Sequence, residues 1–170
     1  MANRKVLKVE SPEIFMVNFA GRVTDNNPKG HRQFSWKIPT PEMAEAMKEE
    51  GWSVWYTKES ERYGESAPCI TVEMRWHNDE DKKYLNPKIY RCTRKHPRGV
   101  LLTEDLVGDL EKDEIEDIVL WINPSHWTVN GKSGIKAYVD SMWVKVEDND
   151  PTEKFWHYED EEELPFEMEE

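Results

Sequence analysis

The hydrophobic positions of this 170-residue chain recur mostly every second residue. In RQFSWKI (32–38), Phe34, Trp36 and Ile38 fall on one face and Gln33, Ser35 and Lys37 on the other. In PCITVEMRW (68–76), Ile70, Val72, Met74 and Trp76 alternate with Thr71, Glu73 and Arg75. A period of two marks a half-buried β-strand, because successive side chains point to opposite sides of the pleat. The same reading predicts strands over 13–21, 52–57, 87–93 and 117–124. It also predicts a hairpin over 126–146, turned at Asn130-Gly131, a dipeptide suited to the positive φ angles of a tight turn. In the second hairpin strand the inward set moves from Ile135, Ala137 and Val139 to Met142, Val144 and Val146, which requires a bulge near Asp140-Ser141.

One segment has a helical period instead. PTPEMAEAMKEEG (39–51) opens on Pro and Thr, carries Met43, Ala46 and Met47 as an apolar stripe, and stops at Gly51. Residues 1–12 read as a flexible lead-in, and 103–117 as an acidic stretch with one or two short helical turns. About seven short strands without a βαβ rhythm predict a mainly β fold, a barrel or a sandwich.

Charge changes this picture by its distribution. The net charge is −12, but residues 147–170 hold 12 of the 35 acids and 1 of the 23 bases. The remainder, with 23 acids and 22 bases, is almost neutral. The expected organisation is therefore a domain over 1–146 and an acidic flexible tail over 147–170. The tail ends in EDEEELPFEMEE, where Leu164, Pro165 and Phe166 form an apolar knot that a partner protein would grip. No apolar run approaches the roughly 20 residues of a membrane span, and the N-terminus leads into no apolar segment of a secretory signal. Cys69 and Cys92 are the only cysteines; two reduced, buried thiols are expected rather than a disulfide.

Catalytic and metal patterns are weak. The five histidines are scattered, no Cys/His spacing suits zinc, and no phosphate-cradling glycine loop or nucleophile elbow occurs. HNDED (77–81) lacks the spacing of a cation loop. No cofactor, metal or enzymatic activity is expected. The aromatic residues say more. Phe34, Trp36, Trp52 and Trp76 share faces with aliphatic residues and read as core. Trp55 alternates with Ser53 and Thr57, Tyr90 shares parity with Lys88, and the last strand presents Lys136, Tyr138, Trp143 and Lys145 opposite its apolar side. A face alternating cations with rings suits single-stranded nucleic acid, since cations follow phosphates and rings stack on bases. It equally suits a face packed under a helix or a second subunit. The candidate stacking residues are Trp55, Tyr90, Trp127, Tyr138 and Trp143. The candidate phosphate contacts are Arg32, Lys37, Arg75, Lys88, Arg91, Lys132 and Lys136.

These motifs resemble those of the OB-fold single-stranded DNA-binding proteins of tailed bacteriophages. The likeness is carried by NPKGHRQFSWKIP (27–39), EEGWSVWY (49–56), PCITVEM (68–74), PKIY (87–90) and residues 102–148, and most specifically by NPSHWTVNGKSGIKAYV (123–139). Trp55 departs from the pattern and stands as an added stacking ring or a dimer contact. The tail is similar to the acidic tips of bacterial single-stranded DNA-binding proteins, although four residues follow Phe166. The resemblance implies an OB-fold-like Greek-key β-barrel with extra hairpins, acting in replication or recombination in the cytoplasm of an infected bacterium. It implies a tail that competes with DNA and recruits replication and recombination proteins through Leu164, Pro165 and Phe166. It leaves open a homodimer or higher oligomer. Three other classes compete with it: a DNA-mimic or inhibitor protein, a scaffold using exposed rings for assembly, and, least favoured, an enzyme such as a nuclease with its acid-rich loops.

Overall fold

The computed structural model describes residues 6–25, 27–59 and 64–147. Among these, nine strands form one sheet: β1 (Leu7–Glu10), β2 (Ile14–Asn18), β3 (Arg32–Lys37), β4 (Trp55–Tyr56), β5 (Pro68–Met74), β6 (Lys88–Cys92), β7 (Val100–Leu102), β8 (Ile115–Val129) and β9 (Lys132–Val146). One α-helix, α1 (Pro41–Glu50), and 3-10 turns at Lys83–Leu85 and Val107–Lys112 complete the described elements. The main strand order is β1-β8-β9-β5-β3-β2, with β4 beside β5, β6 beside β9 and β7 beside β6. The fold is mainly β, as expected, and consistent with an OB-like barrel.

The β8–β9 hairpin organises the sheet. Its strands are antiparallel along their whole length, from Ile115↔Val146 to Val129↔Lys132. Asn130 and Gly131 both have positive φ at the tip, 51° and 79°, which is why this dipeptide stands there. β9 then splits its other edge. Its first half runs parallel to β5, with Val72↔Ala137, and its second half parallel to β6, with Ile89↔Met142. The change of partner coincides with a bulge, since Ile122 pairs with Val139 but Trp121 with Ser141. Asp140 is the extra residue, at the predicted position, and the shift keeps both apolar triplets inward.

The core collects the inward side chains: Phe34 and Trp36 of β3, Ile70 and Val72 of β5, Leu120 and Ile122 of β8, and Met142 and Val144 of β9. At roughly 1.5–3 kcal/mol for each fully buried large apolar side chain, this two-residue pattern is what drives the chain into one sheet. Trp52 is also buried, at 8% exposure.

Three expectations need correction. The lead-in contains β1, whose Leu7 and Val9 pair with Ile122 and Leu120. A four-residue strand has too little pattern of its own and is fixed by its neighbour. Residues 117–124 and 126–129 are one continuous strand despite Pro124. Among the described residues β1 pairs with β8 only over Val119–Ile122, so Pro124 lies beyond that paired stretch, where a missing N–H is tolerated. The predicted strand 52–57 is reduced to Trp55–Tyr56.

The helix forms where predicted. Thr40 caps it, its Oγ1 accepting from Met43 N at 3.2 Å, Pro41 occupies the first turn, and Gly51 ends it at φ 107°. Gly51 also accepts a backbone hydrogen bond from Ile135 N at 2.8 Å. That bond ties the helix end to the start of β9 and brings Trp55 beside β5. Cys69 and Cys92 are both free and buried. Leu164, Pro165 and Phe166, with the rest of 148–170, lie outside the described residues.

Candidate nucleic-acid interface

Register decides which side chains share the outer face, because directly paired residues point the same way. β3 contributes Gln33, Ser35 and Lys37, and β5 contributes Cys69, Thr71 and Glu73, with Arg75 just beyond its end. Across β5↔β9, Glu73 pairs with Tyr138, and across β9↔β8, Lys136 pairs with Ser125 and Gly134 with Trp127. β4 adds Trp55 opposite Cys69.

Two hollows lie on this face. The first, of about 480 Å³, is lined by residues that include Trp55, Trp127, Lys136, Glu73, His31 and Thr71. The second, of about 390 Å³, includes Arg75, Tyr138, His126, His77 and Asn123. Trp55 is held in place: its indole Nε1–H donates to Thr71 Oγ1 at 3.1 Å, and its ring lies 6.2 Å from that of Phe15. Trp127 is 39% exposed and lies against Gly134 on the neighbouring strand. Tyr138 is half-buried with the Lys136 ammonium 5.2 Å from its ring centroid.

Lys136 reaches across to β5, with Nζ 2.9 Å from Glu73 Oε1. Burial lowers its pKa, but the hydrogen bond and charge of Glu73, helped by Tyr138, more than offset this and hold it above its ordinary value. Lys132 and Arg75 are exposed at the two ends of the face. Lys37 is exposed too, 3.5 Å from Glu13. Lys88 is exposed at the start of β6, opposite Ser141.

Of the predicted residues, Tyr90 and Arg91 are buried, Arg32 lies on the core side, and Trp143 is half-buried. Tyr90 is 2% exposed, because β6 is covered on the side that parity assigned to solvent. Trp143 stacks on it at 5.0 Å between centroids, and Gly99 approaches its Cβ so closely that a methyl group there would sit 2.8 Å away. Trp143 also meets Trp121 edge-on at 4.7 Å, and being paired with Val119 it points to the outer side, where it lines a hollow of about 470 Å³ with Arg94 and Lys145. Arg91 is 1% exposed, its Nε donating to Asp113 Oδ2 at 2.9 Å and its Nη2 to Asp113 Oδ1 at 3.2 Å. Arg32 has the parity of Phe34 and lies on the core side, its Nε 3.9 Å from Glu104 Oε2. Sequence alternation separates two faces of a strand but does not say that both are covered, and a basic residue inside a cluster looks like its neighbours until its partner is known.

The sequence reading also omitted His31, Phe15 and Glu73 from the site. Glu73 stood in the polar set of its strand. His31 and Phe15 carried no comparable signal, since both reach the face through strand neighbours.

A half-exposed set of rings and cations on one side of a β-sheet is the kind of surface that single-stranded nucleic-acid-binding proteins use. A family model described as "Putative phage ssDNA-binding domain" matches residues 2–168. The chain belongs to this family of phage single-stranded DNA-binding domains. No curated protein matches it.

Proposed function

We propose that single-stranded DNA lies along the outer face of β5, β9 and β8, with bases stacking on Trp55, Trp127 and Tyr138. Phosphates meet Arg75 and Lys132 at the ends of the face, with Lys37 and Lys88 at its margins. The observation that carries this reading is the convergence of those three rings, from three separate strands, around hollows open to solvent. Binding is then sequence-tolerant, because every base has a π face, and salt-sensitive, because phosphate contacts release counterions. The protein acts by binding and not by catalysis, coating DNA in phage replication or recombination in the host cytoplasm.

The charge split supports a role for residues 147–170. A segment of net −11 competes with DNA for the cations and, once displaced, presents Leu164, Pro165 and Phe166 to replication or recombination proteins. Titrating the full-length protein, and a chain ending at Val146, with oligo-dT and with duplex at two salt concentrations tests both parts. Tryptophan quenching by oligo-dT alone, weakened by salt and stronger in the shorter chain, is the expected result. No response of the full-length protein to either nucleic acid overturns the binding reading, and equal low-salt affinities of the two chains overturn competition by the tail.

A further inference from the structure

Glu73 is out of place on a surface for a polyanion. Its side chain is 6% exposed, yet it sits at the centre of the outer face, paired in register with Tyr138 and lining the hollow shared by Trp55 and Trp127. Its two nearby bases are far more open: Lys136, 48% exposed, is 2.9 Å from Oε1, and His31 Nδ1, 45% exposed, is 3.7 Å from Oε2. Burying a carboxylate is costly unless a partner offsets it. Lys136 is that partner, and the same contact leaves its ammonium beside the Tyr138 ring. The pair therefore carries no net charge at the middle of the face, while Arg75 and Lys132 stand at its ends.

We propose that Glu73 is a positioning and specificity residue: it pins Lys136 beside Tyr138, cancels its charge, and leaves the middle of the face to bases while phosphates go to the ends. This rests on the DNA-binding reading above. The physical logic is that an ammonium held by a buried carboxylate is a poor phosphate ligand, whereas its alkyl stem still offers apolar contact to a base. A strand crossing such a face is held with its bases inward, the orientation that favours single strands over duplex, whose bases are already paired.

The test uses the full-length protein, oligo-dT and a salt series. A single-stranded phosphate contact contributes about 0.7 to the slope of log affinity against log salt. Glu73→Gln frees Lys136 to take a phosphate, so the slope should steepen by about 0.7 and low-salt affinity should rise severalfold. The double variant Glu73→Gln/Lys136→Met removes a neutral pair and should keep the wild-type slope. An unchanged slope in Glu73→Gln, or a slope about 0.7 shallower in the double variant, overturns the inference, the latter because it means that Lys136 already contacts a phosphate. If either variant fails to fold, the other still decides. Wild-type binding with these slopes wrong sinks only this inference, whereas absence of wild-type binding sinks the reading on which it rests.

Discussion

The indole of Trp127 lies against the α-carbon of Gly134 on the paired strand. A methyl group on Gly134 would sit 2.7 Å from Trp127 Cζ2 and 2.9 Å from Cε2. Gly134 is therefore the floor on which the ring rests, and its need for a bare α-carbon is steric. Gly134→Ala should tilt the partly exposed ring away with little loss of stability, yet lower oligo-dT affinity roughly 5- to 30-fold, about 1–2 kcal/mol. Combined with Trp127→Ala, the two losses should not add, because both remove one stacking platform. Fluorescence or anisotropy titration of the four proteins checks this; additive losses would contradict it.

Trp55 and Tyr138 are predicted to stack bases, and Trp143 to hold the fold. Trp55→Ala and Tyr138→Ala should each cost about 1–3 kcal/mol of oligo-dT affinity with little change in Tm. Trp55→Phe keeps a ring but loses the bond to Thr71, so its loss should be smaller. Trp143→Ala removes a ring packed between Tyr90 and Trp121 and should lower Tm by several degrees. Paired melting and binding curves separate the two classes.

Arg91 and Asp113, both 1% exposed, form a buried two-point ion pair. Asp113→Ala strands a buried guanidinium and should cost about 3–5 kcal/mol of stability. Replacing both, as Arg91→Met/Asp113→Leu, should recover much of that loss. The double variant should also bind oligo-dT with the wild-type salt slope, since the Arg91 guanidinium is buried against Asp113. Urea unfolding and a salt series test the two halves of the prediction.

Burial pushes the Cys92 thiol up from 9.0 to about 12. The folded state then holds this proton more tightly than the unfolded chain. Its contribution to stability is complete below pH 9 and is lost as pH climbs toward 12. Native protein at pH 8 should resist iodoacetamide at Cys92 and react readily in urea. Mass spectrometry of the alkylated peptide gives the answer, and rapid native labelling would contradict the burial.

Much of the fold was legible because alternation is a local record of burial. Phe34, Trp36, Ile70 and Val72 announce their strands, Thr40 and Gly51 bound the helix, and Asn130-Gly131 marks the hairpin. Even the bulge at Asp140 could be read, since two apolar triplets in opposite parity cannot both face inward on an uninterrupted strand. The site was legible only in part. Trp55, Trp127, Tyr138, Lys136, Arg75 and the half-buried Trp143 point to the outer side, but Tyr90 is covered there and Arg91 and Arg32 lie on the core side. Tyr90 shows the reason: its parity was read correctly as opposite to Ile89, but the side it faces is covered by Trp143 and the approach of Gly99.

The sequence by itself determined the strands, the helix caps, the hairpin turn and the separation of a near-neutral body from an acidic end. Each is set by neighbours along the chain, through backbone preference or two-residue periodicity. Tertiary structure alone decided that β9 pairs with β5 and then with β6, that Trp127 rests on Gly134, and that Glu73 forms an ion pair with Lys136. Those relations join residues far apart in the chain, and their geometry follows from sheet register and packing, which no local pattern encodes.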